Sequence, residues 1–410
     1  MVRSGECPSR LLALHYGADL VWGPETVDRA LIGTTRRVNP ITGTVDFTRF
    51  SSNGQKNHVP TAEQTESVIY RLHPQLEGRR LIHQIGTASP DLAVQAASLI
   101  AADVAGIDVN AGCPKPFSTL GGMGAALLKT PDILCNILTA LVEKVGRPHE
   151  IGISVKIRIL DTPEQTRALV ERLVKTGITG LTVHCRTTPM RPRERAIRDQ
   201  LSMVAEICHE AGVACLMNGD VTSRDEALSL AAQYGADGGM IATAAETNSS
   251  CFRAVADGGK DTWQTVVAQY VRLALDVDNR WGNTKYLLGQ IIPGKSPLYN
   301  GMKQAKSYRQ IVALLELHEE LGKKAAEVDE RLGLDQPKAD AGLSKAERKA
   351  KNKAEFDAAQ KRRKEDKGAK RSASEAGLEN VGDDRPAPAL DQQRQMGPGS
   401  VTEQASVLAV

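Results

Sequence analysis

The stretch Asp108-Val109-Asn110-Ala111-Gly112-Cys113-Pro114 places a thiol just past a short apolar run and follows it with Lys115 and the glycine-rich Gly121-Gly122-Met123-Gly124. A thiol of ordinary acidity, with a pKa of about 8.5, is mostly protonated at neutral pH, so it serves there as a proton donor or, once activated, as a nucleophile. The competing reading is a buried cysteine in a tight turn, since cysteine is among the most buried residue types. Lys156 interrupts the apolar run Ile153 to Ile159, where an ammonium is costly to bury unless an anion meets it. That anion is either a bound cofactor or a carboxylate of the core. Gln84, Asn110, His184 and Asn218 each close a further apolar run. For His184 alone, a hydrogen-bonded core histidine is the equal alternative. The other six cysteines form no C-x-x-C pair, which argues against a zinc cluster and against a disulfide scaffold and leaves no metal site in the reading.

Polar groups at the ends of apolar runs need elements that gather them. Runs of strand length recur at Asp19 to Trp22, Leu81 to Ile85, Ile107 to Val109, Ile153 to Ile159, Leu181 to His184, Ala214 to Met217 and Gly239 to Ala242. Helical patterns lie between most of them, at Pro90 to Ala102, Pro131 to Val145, Pro163 to Thr176, Asp199 to Ala211 and Ser223 to Tyr234. Many helices end on a glycine before the next strand, as at Gly17, Gly106, Gly177, Gly212 and Gly235, which predicts repeated C-caps. Alternating strands and helices mean a parallel sheet. Polar residues at so many strand ends favour a (β/α)8 TIM barrel, whose C-terminal strand ends share one rim, over a doubly wound sheet with a crevice. Seven strands are counted where a barrel needs eight, so the first is expected at or before Met1, missing or truncated. Gly238 to Ala245, where the last strand meets its helix, occupies the usual phosphate position of barrels. The Gly121 to Gly124 run does not match a dinucleotide fingerprint and reads better as a hinged lid.

The chain has 410 residues, is 25% charged and only 4% aromatic, and carries a net charge of +3. No run approaches the roughly 18 apolar residues of a spanning helix, and the N-terminus has no apolar stretch of signal-peptide type, so no membrane partner and an intracellular, cytoplasmic location are expected. Thr35 to Phe47 reads as a hairpin inserted after the second barrel strand. From Lys260 the pattern turns to long helices at Trp263 to Asp276, Asn283 to Ile292 and Tyr308 to Leu332. The expected organisation is therefore a catalytic barrel over 1–259, a helical domain over 260–334 and a disordered basic tail over 335–410. Lys345 to Arg371 alone holds twelve Lys and Arg against five Asp and Glu, which fits contact with a polyanion or a nuclear fraction.

Taken together, these motifs resemble the tRNA-dihydrouridine synthases, most closely the eukaryotic class that reduces uridine 20 of the D-loop. The resemblance rests on DVNAGCPKPFSTLGGMGAALL (Asp108 to Leu128), SVKIRI (Ser154 to Ile159), TVHCRT (Thr182 to Thr187), MNGDV (Met217 to Val221), GADLVWGPE (Gly17 to Glu25) and NTKYLLGQI (Asn283 to Ile291). It implies FMN as the bound cofactor, NADPH as the reductant and tRNA as the partner of a monomeric enzyme. Cys113 is then the general acid that protonates uridine C5 while hydride reaches C6. Gln84, Lys156 and His184 would hold FMN, with Asn218, Gly219, Asp220, Ala242 and Thr243 on its phosphate side and Met1 and Val2 as what remains of the first strand's flavin contact. The family usually has an arginine where this chain has Thr243. Asn110, Arg186, Arg191 and Arg193 would meet the tRNA, with Arg195 near them. The readings that compete are a tRNA-binding relative with impaired catalysis and another flavin-dependent barrel reductase.

Overall fold

Eleven strands form among the residues that the computed structural model describes, 4–50 and 66–335. In chain order they are β1 (Val21–Trp22), β2 (Thr26–Val27), β3 (Thr35–Val38), β4 (Val45–Phe50), β5 (Glu66–Leu72), β6 (Leu81–Gly86), β7 (Gly106–Asn110), β8 (Gly152–Arg158), β9 (Gly180–His184), β10 (Ala214–Asn218) and β11 (Gly238–Met240). One sheet runs β1-β6-β7-β8-β9-β10-β11, parallel throughout, and β2 adds to β6 beyond β1. Val21 and Trp22 pair with Leu81 and Ile82, and Thr26 and Val27 with Ile85 and Gly86. β1 and β2 are thus two pieces of one stave, split at Gly23-Pro24-Glu25, where proline has no amide to offer a ladder.

This is the β/α alternation of a TIM barrel, with helices between successive strands and a helical C-terminal part. Serine and threonine begin those helices: the Ser89, Thr162 and Ser223 hydroxyls accept the Leu92, Gln165 and Glu226 amides. Gly17, Gly177, Gly212 and Gly235 all have positive φ, as the expected C-caps require. Gly106 does not. It opens β7, where a Cβ would lie 2.8 Å from the Gly152 carbonyl oxygen, so its role is close strand approach rather than capping.

Along β8 the pattern alternates. Ile153, Val155 and Ile157 are fully buried against the helices, while Ser154, Lys156 and Arg158 face the barrel interior. The sheet path ends at β1 and β11, which do not pair with each other among the described residues. A cleft of about 140 Å³ separates them, walled by Val21 and Trp22 on one side and by Met240 and Ile241 on the other. It is the place of the eighth stave that the strand count leaves over. Met1 and Val2 lie outside the described residues.

The hairpin at Thr35 to Phe47 forms as β3 and β4, closed by Asn39, whose side-chain oxygen accepts the Ile41 and Thr42 amides, and by Gly43 at φ +70°. β5 extends it into a three-stranded antiparallel sheet that the sequence reading did not include. A buried ion pair, Arg10 to Glu77 at 2.6 Å, fastens the first helix to the segment that follows β5. In the C-terminal part, Trp263–Asp276 and Trp281–Ile291 match expectation closely. The single helix expected over Tyr308 to Leu332 is two, Tyr308–Leu314 and His318–Arg331, because Glu316 turns left-handed at φ +57° and the Leu317 amide folds back onto the Val312 carbonyl. Beyond Asp335 the expected tail lies outside the described residues.

Candidate active site

The C-terminal ends of the parallel strands open into a cavity of about 750 Å³, within the range of small-molecule and cofactor sites. Strand register sets its floor. Asn110 stands opposite Lys156, Arg158 opposite His184, and His184 opposite Asn218. One layer down, Gln84 lies opposite Asp108 and Asp108 opposite Ser154. The Asp108 carboxylate accepts from Gln84 Nε2 and from Ser154 Oγ, each at 2.7 Å. Burial holds this carboxyl above the usual range even though both donors and Lys156 oppose that effect.

Asn110 places the thiol. Its side-chain oxygen accepts the Gly112 amide at 3.0 Å and the Cys113 amide at 3.1 Å, an Asx turn that ends β7 and turns Cys113 into the cavity. The Glu25 carboxyl, raised by burial and drawn back by a hydrogen bond from Asn110, flanks that amide from the split stave. The loop beyond Cys113 returns on itself, because the Ala125 amide donates to the Cys113 carbonyl at 2.9 Å. Gly124 permits the closure. It has φ +59°, and a Cβ there would lie 2.6 Å from the Cys113 carbonyl oxygen and 2.4 Å from Ser118 Oγ.

Lys156 Nζ donates to Asn218 Oδ1 at 3.0 Å, and the Asn218 amide donates in turn to the Met240 carbonyl at 2.8 Å. Burial pushes the ammonium down to about 8, with Asp108 pulling the other way. His184 is pushed down to about 2 by burial and by the neighbouring Lys156, Arg158 and Arg186. Its Nε2 lies 3.2 Å from Arg186 Nη1; guanidinium only donates, so Nε2 accepts and the ring is neutral. Gly219, at φ +117°, leaves room at this wall, since a Cβ would press within 3.2 Å of His184 Cδ2.

The arginines divide. Arg186 is buried and donates to Asp220, to the Pro192 and Glu194 carbonyls and toward His184, so it shapes the loop after β9. Burial raises the Asp220 carboxyl, but donation from Arg186 and the Ala196 amide outweighs it and leaves the group below its usual value. Arg191, Arg193 and Arg195 are exposed on the loop after β9. Gln84, Asn110, Cys113, Lys156, Arg186, His184, Asn218, Gly219, Asp220, Ala242 and Thr243 therefore all border one cavity, whereas Arg191 and Arg193 stand outside its lining.

Sequence reasoning gave three of its groups no role in the site, although it read Arg158 with Lys156 as a polar strand end. Arg158 donates to the Gly112 carbonyl and to the Thr187 carbonyl, each at 2.8 Å, and so ties the Cys113 loop to the loop after β9. Asp108 anchors the layer beneath the cavity through its bonds from Gln84 and Ser154, and Trp22 forms part of the wall beside the cleft. Strand periodicity carried a signal for two of them: Arg158 is two residues from Lys156, and Asp108 is two from Asn110. Among the described residues no helix is long and apolar enough to cross a membrane, and no group of three or more His, Cys, Asp and Glu is placed to hold a metal ion.

Residues 19–334 match the profile of the dihydrouridine synthase (Dus) family. The tRNA-dihydrouridine(20) synthase [NAD(P)+] of Schizosaccharomyces pombe is 48% identical over 332 residues, which cover 80% of this chain and 64% of the relative. The enzyme of the same name from Saccharomyces cerevisiae is 46% identical over 322 residues, covering 77% and 81%. The tRNA-dihydrouridine(20a/20b) synthase [NAD(P)+] of Saccharomyces cerevisiae is 25% identical over 252 residues, covering 62% of this chain and 60% of the relative.

Proposed function

The chain belongs to the dihydrouridine synthase family, and from that premise we propose that it reduces a uridine of tRNA, at position 20 of the D-loop, to 5,6-dihydrouridine, with FMN bound in the barrel mouth and NADPH as reductant. The position follows the two relatives named for uridine 20, which are far more similar to this chain than the one named for 20a and 20b. The observation that carries the reading is the Asx turn at Asn110, which presents Cys113 to the same cavity that Lys156 and His184 floor.

The donor set suits a flavin. A lysine ammonium walled in by the barrel, a neutral imidazole, the Gln84 and Asn218 amides and the space left at Gly219 together accept a flat, polar-edged, anionic group. Gln84, Lys156 and His184 would hold its ring system, and Asn218 to Asp220 with Ala242 and Thr243 its phosphate side. FMN held by these residues would supply the hydride that C6 of the uracil ring receives. The Cys113 thiol gives its proton to C5, where negative charge develops, and the Asn110 turn fixes the direction of that transfer. The Lys156 ammonium keeps positive charge in the cavity throughout, and the Arg158 clamp keeps the two rim loops in register. Arg191, Arg193 and the helical segment 260–334 receive the tRNA.

The test is purified protein with NADPH and a tRNA transcript that lacks dihydrouridine. The expected result is a yellow protein that forms one dihydrouridine, mapped to position 20 by mass spectrometry. A yellow protein that oxidises NADPH and leaves tRNA untouched would assign it instead to another class of flavin reductase. The rival reading is a tRNA-binding relative without catalysis. A colourless protein that still retards tRNA would establish that rival.

A further inference from the structure

Phe117 and Leu120 are 52% and 88% exposed; Leu120 is the most exposed large hydrophobic residue among those described, and Phe117 is the one aromatic of that group. Both belong to the Cys113 loop, four and seven residues past the thiol. Single exposed apolar residues are ordinary. These two, however, belong to a single turn of helix, Pro116–Thr119 with Leu120 as its C-cap, at the i, i+3 spacing that places them on one face, while Ser118 between them is turned inward and buried. Their exposure is held in place by the backbone. The Ser118 amide donates to Lys115 at 3.0 Å, Leu120 to Pro116 at 2.9 Å and Met123 to Ser118 at 3.1 Å, and the Met123 side chain is buried.

Charge identifies what would cover such a face. Lys115 is exposed in the same turn, and Arg158 joins this loop to the one that carries exposed Arg191, Arg193 and Arg195. An apolar aromatic face set among cations is the chemistry of unstacked nucleic acid, in which bases lie on apolar side chains and phosphates meet the basic rim. Reduction across C5 and C6 also requires the target base to leave its stack, which strands the bases beside it.

We propose that Phe117 and Leu120 form a wedge that packs against the nucleobases next to the target uridine and holds the gap it vacates. The proposal rests on the tRNA reading above and deepens it. In single-turnover assays, Phe117→Ala and Leu120→Ser should each lower kcat/KM for tRNA about tenfold, the scale of one lost base contact. Phe117→Trp should restore most of it, and flavin content and the rate of NADPH oxidation without tRNA should not move. A tRNA with 2-aminopurine beside the target should show weaker binding and a smaller fluorescence change with the Ala variant. Unchanged kcat/KM and unchanged fluorescence would overturn the wedge, as would loss of flavin in the variants, which would make the pair part of the cofactor's packing. Loss of self-association with unchanged tRNA handling would overturn it in favour of a protein-facing patch. If the wild-type chain makes no dihydrouridine, the tRNA function fails, and the fluorescence arm still decides whether Phe117 touches RNA.

Discussion

Lys156 holds its proton less tightly than an exposed lysine, and this gives the cavity a pH dependence with a definite sign. Burial lowers it to about 8, and an anion bound beside it raises it again. Affinity for an anionic cofactor is therefore level below pH 8 and falls as the pH rises through 8, by up to about tenfold per unit. Flavin dissociation constants measured on both sides of pH 8 check this. Lys156→Met should bind flavin more weakly and lose the slope, while a flat profile in the wild-type protein would assign Lys156 to an internal pair with Asp108. His184 adds nothing in that window, since it is already neutral above about pH 2. Cys113→Ala is expected to keep flavin and tRNA binding and to lose at least about a hundredfold in dihydrouridine formation, the usual contribution of a positioned proton donor. Retained activity in a quantitative mass-spectrometric assay would remove Cys113 from the chemistry.

Among elements, the Cys113 loop depends on Gly124 more than on any side chain it displays. Gly124→Ala would put a methyl group against the Cys113 carbonyl and Ser118 at a backbone angle that L residues rarely adopt. It should lower activity strongly with little change in the far-ultraviolet circular dichroism of the barrel, and simultaneous loss of flavin would show that the distortion reaches the cavity floor. Much of this architecture was legible in the sequence. Apolar strands closed by Gln84, Asn110, His184 and Asn218 predicted both the barrel and its rim, because strand ends of a parallel sheet converge whatever their loops do. Arg158 was only half legible: with Lys156 it marked a polar strand end, but nothing in the sequence names its partners, which are two carbonyls on separate loops. β5 went unread because only tertiary contact distinguishes its Val68-Ile69-Tyr70 run from an unpaired extended segment. The break at Glu316 was invisible for a similar reason: the helical periodicity continues across it, and a left-handed residue other than glycine or asparagine leaves no compositional mark.

At the scale of the whole molecule, the twelve cations of Lys345 to Arg371 would add phosphate contacts that do not select the uridine. Removing residues 342–410 should weaken tRNA binding modestly and flatten its dependence on salt, with the modified position unchanged. A salt titration of full-length and shortened protein checks this, and equal slopes would make the tail a solvated appendage. The cleft between β1 and β11 bears on how the barrel breathes. A closed ring of strands has no end at which to begin opening, whereas an arc has two, and each end here is a strand of two or three residues with a neighbour on one side only among the described residues. Hydrogen–deuterium exchange should therefore be graded around the barrel, fast at residues 21–22 and 238–240 and slow at 153–157 on the far side. Trp22 and Met240 border the cavity as well, so a ligand held there would bridge both ends of the arc. Bound flavin should slow exchange at both ends together and hardly alter it at β8, an outcome that would make the cofactor the clasp of the barrel as well as its reagent.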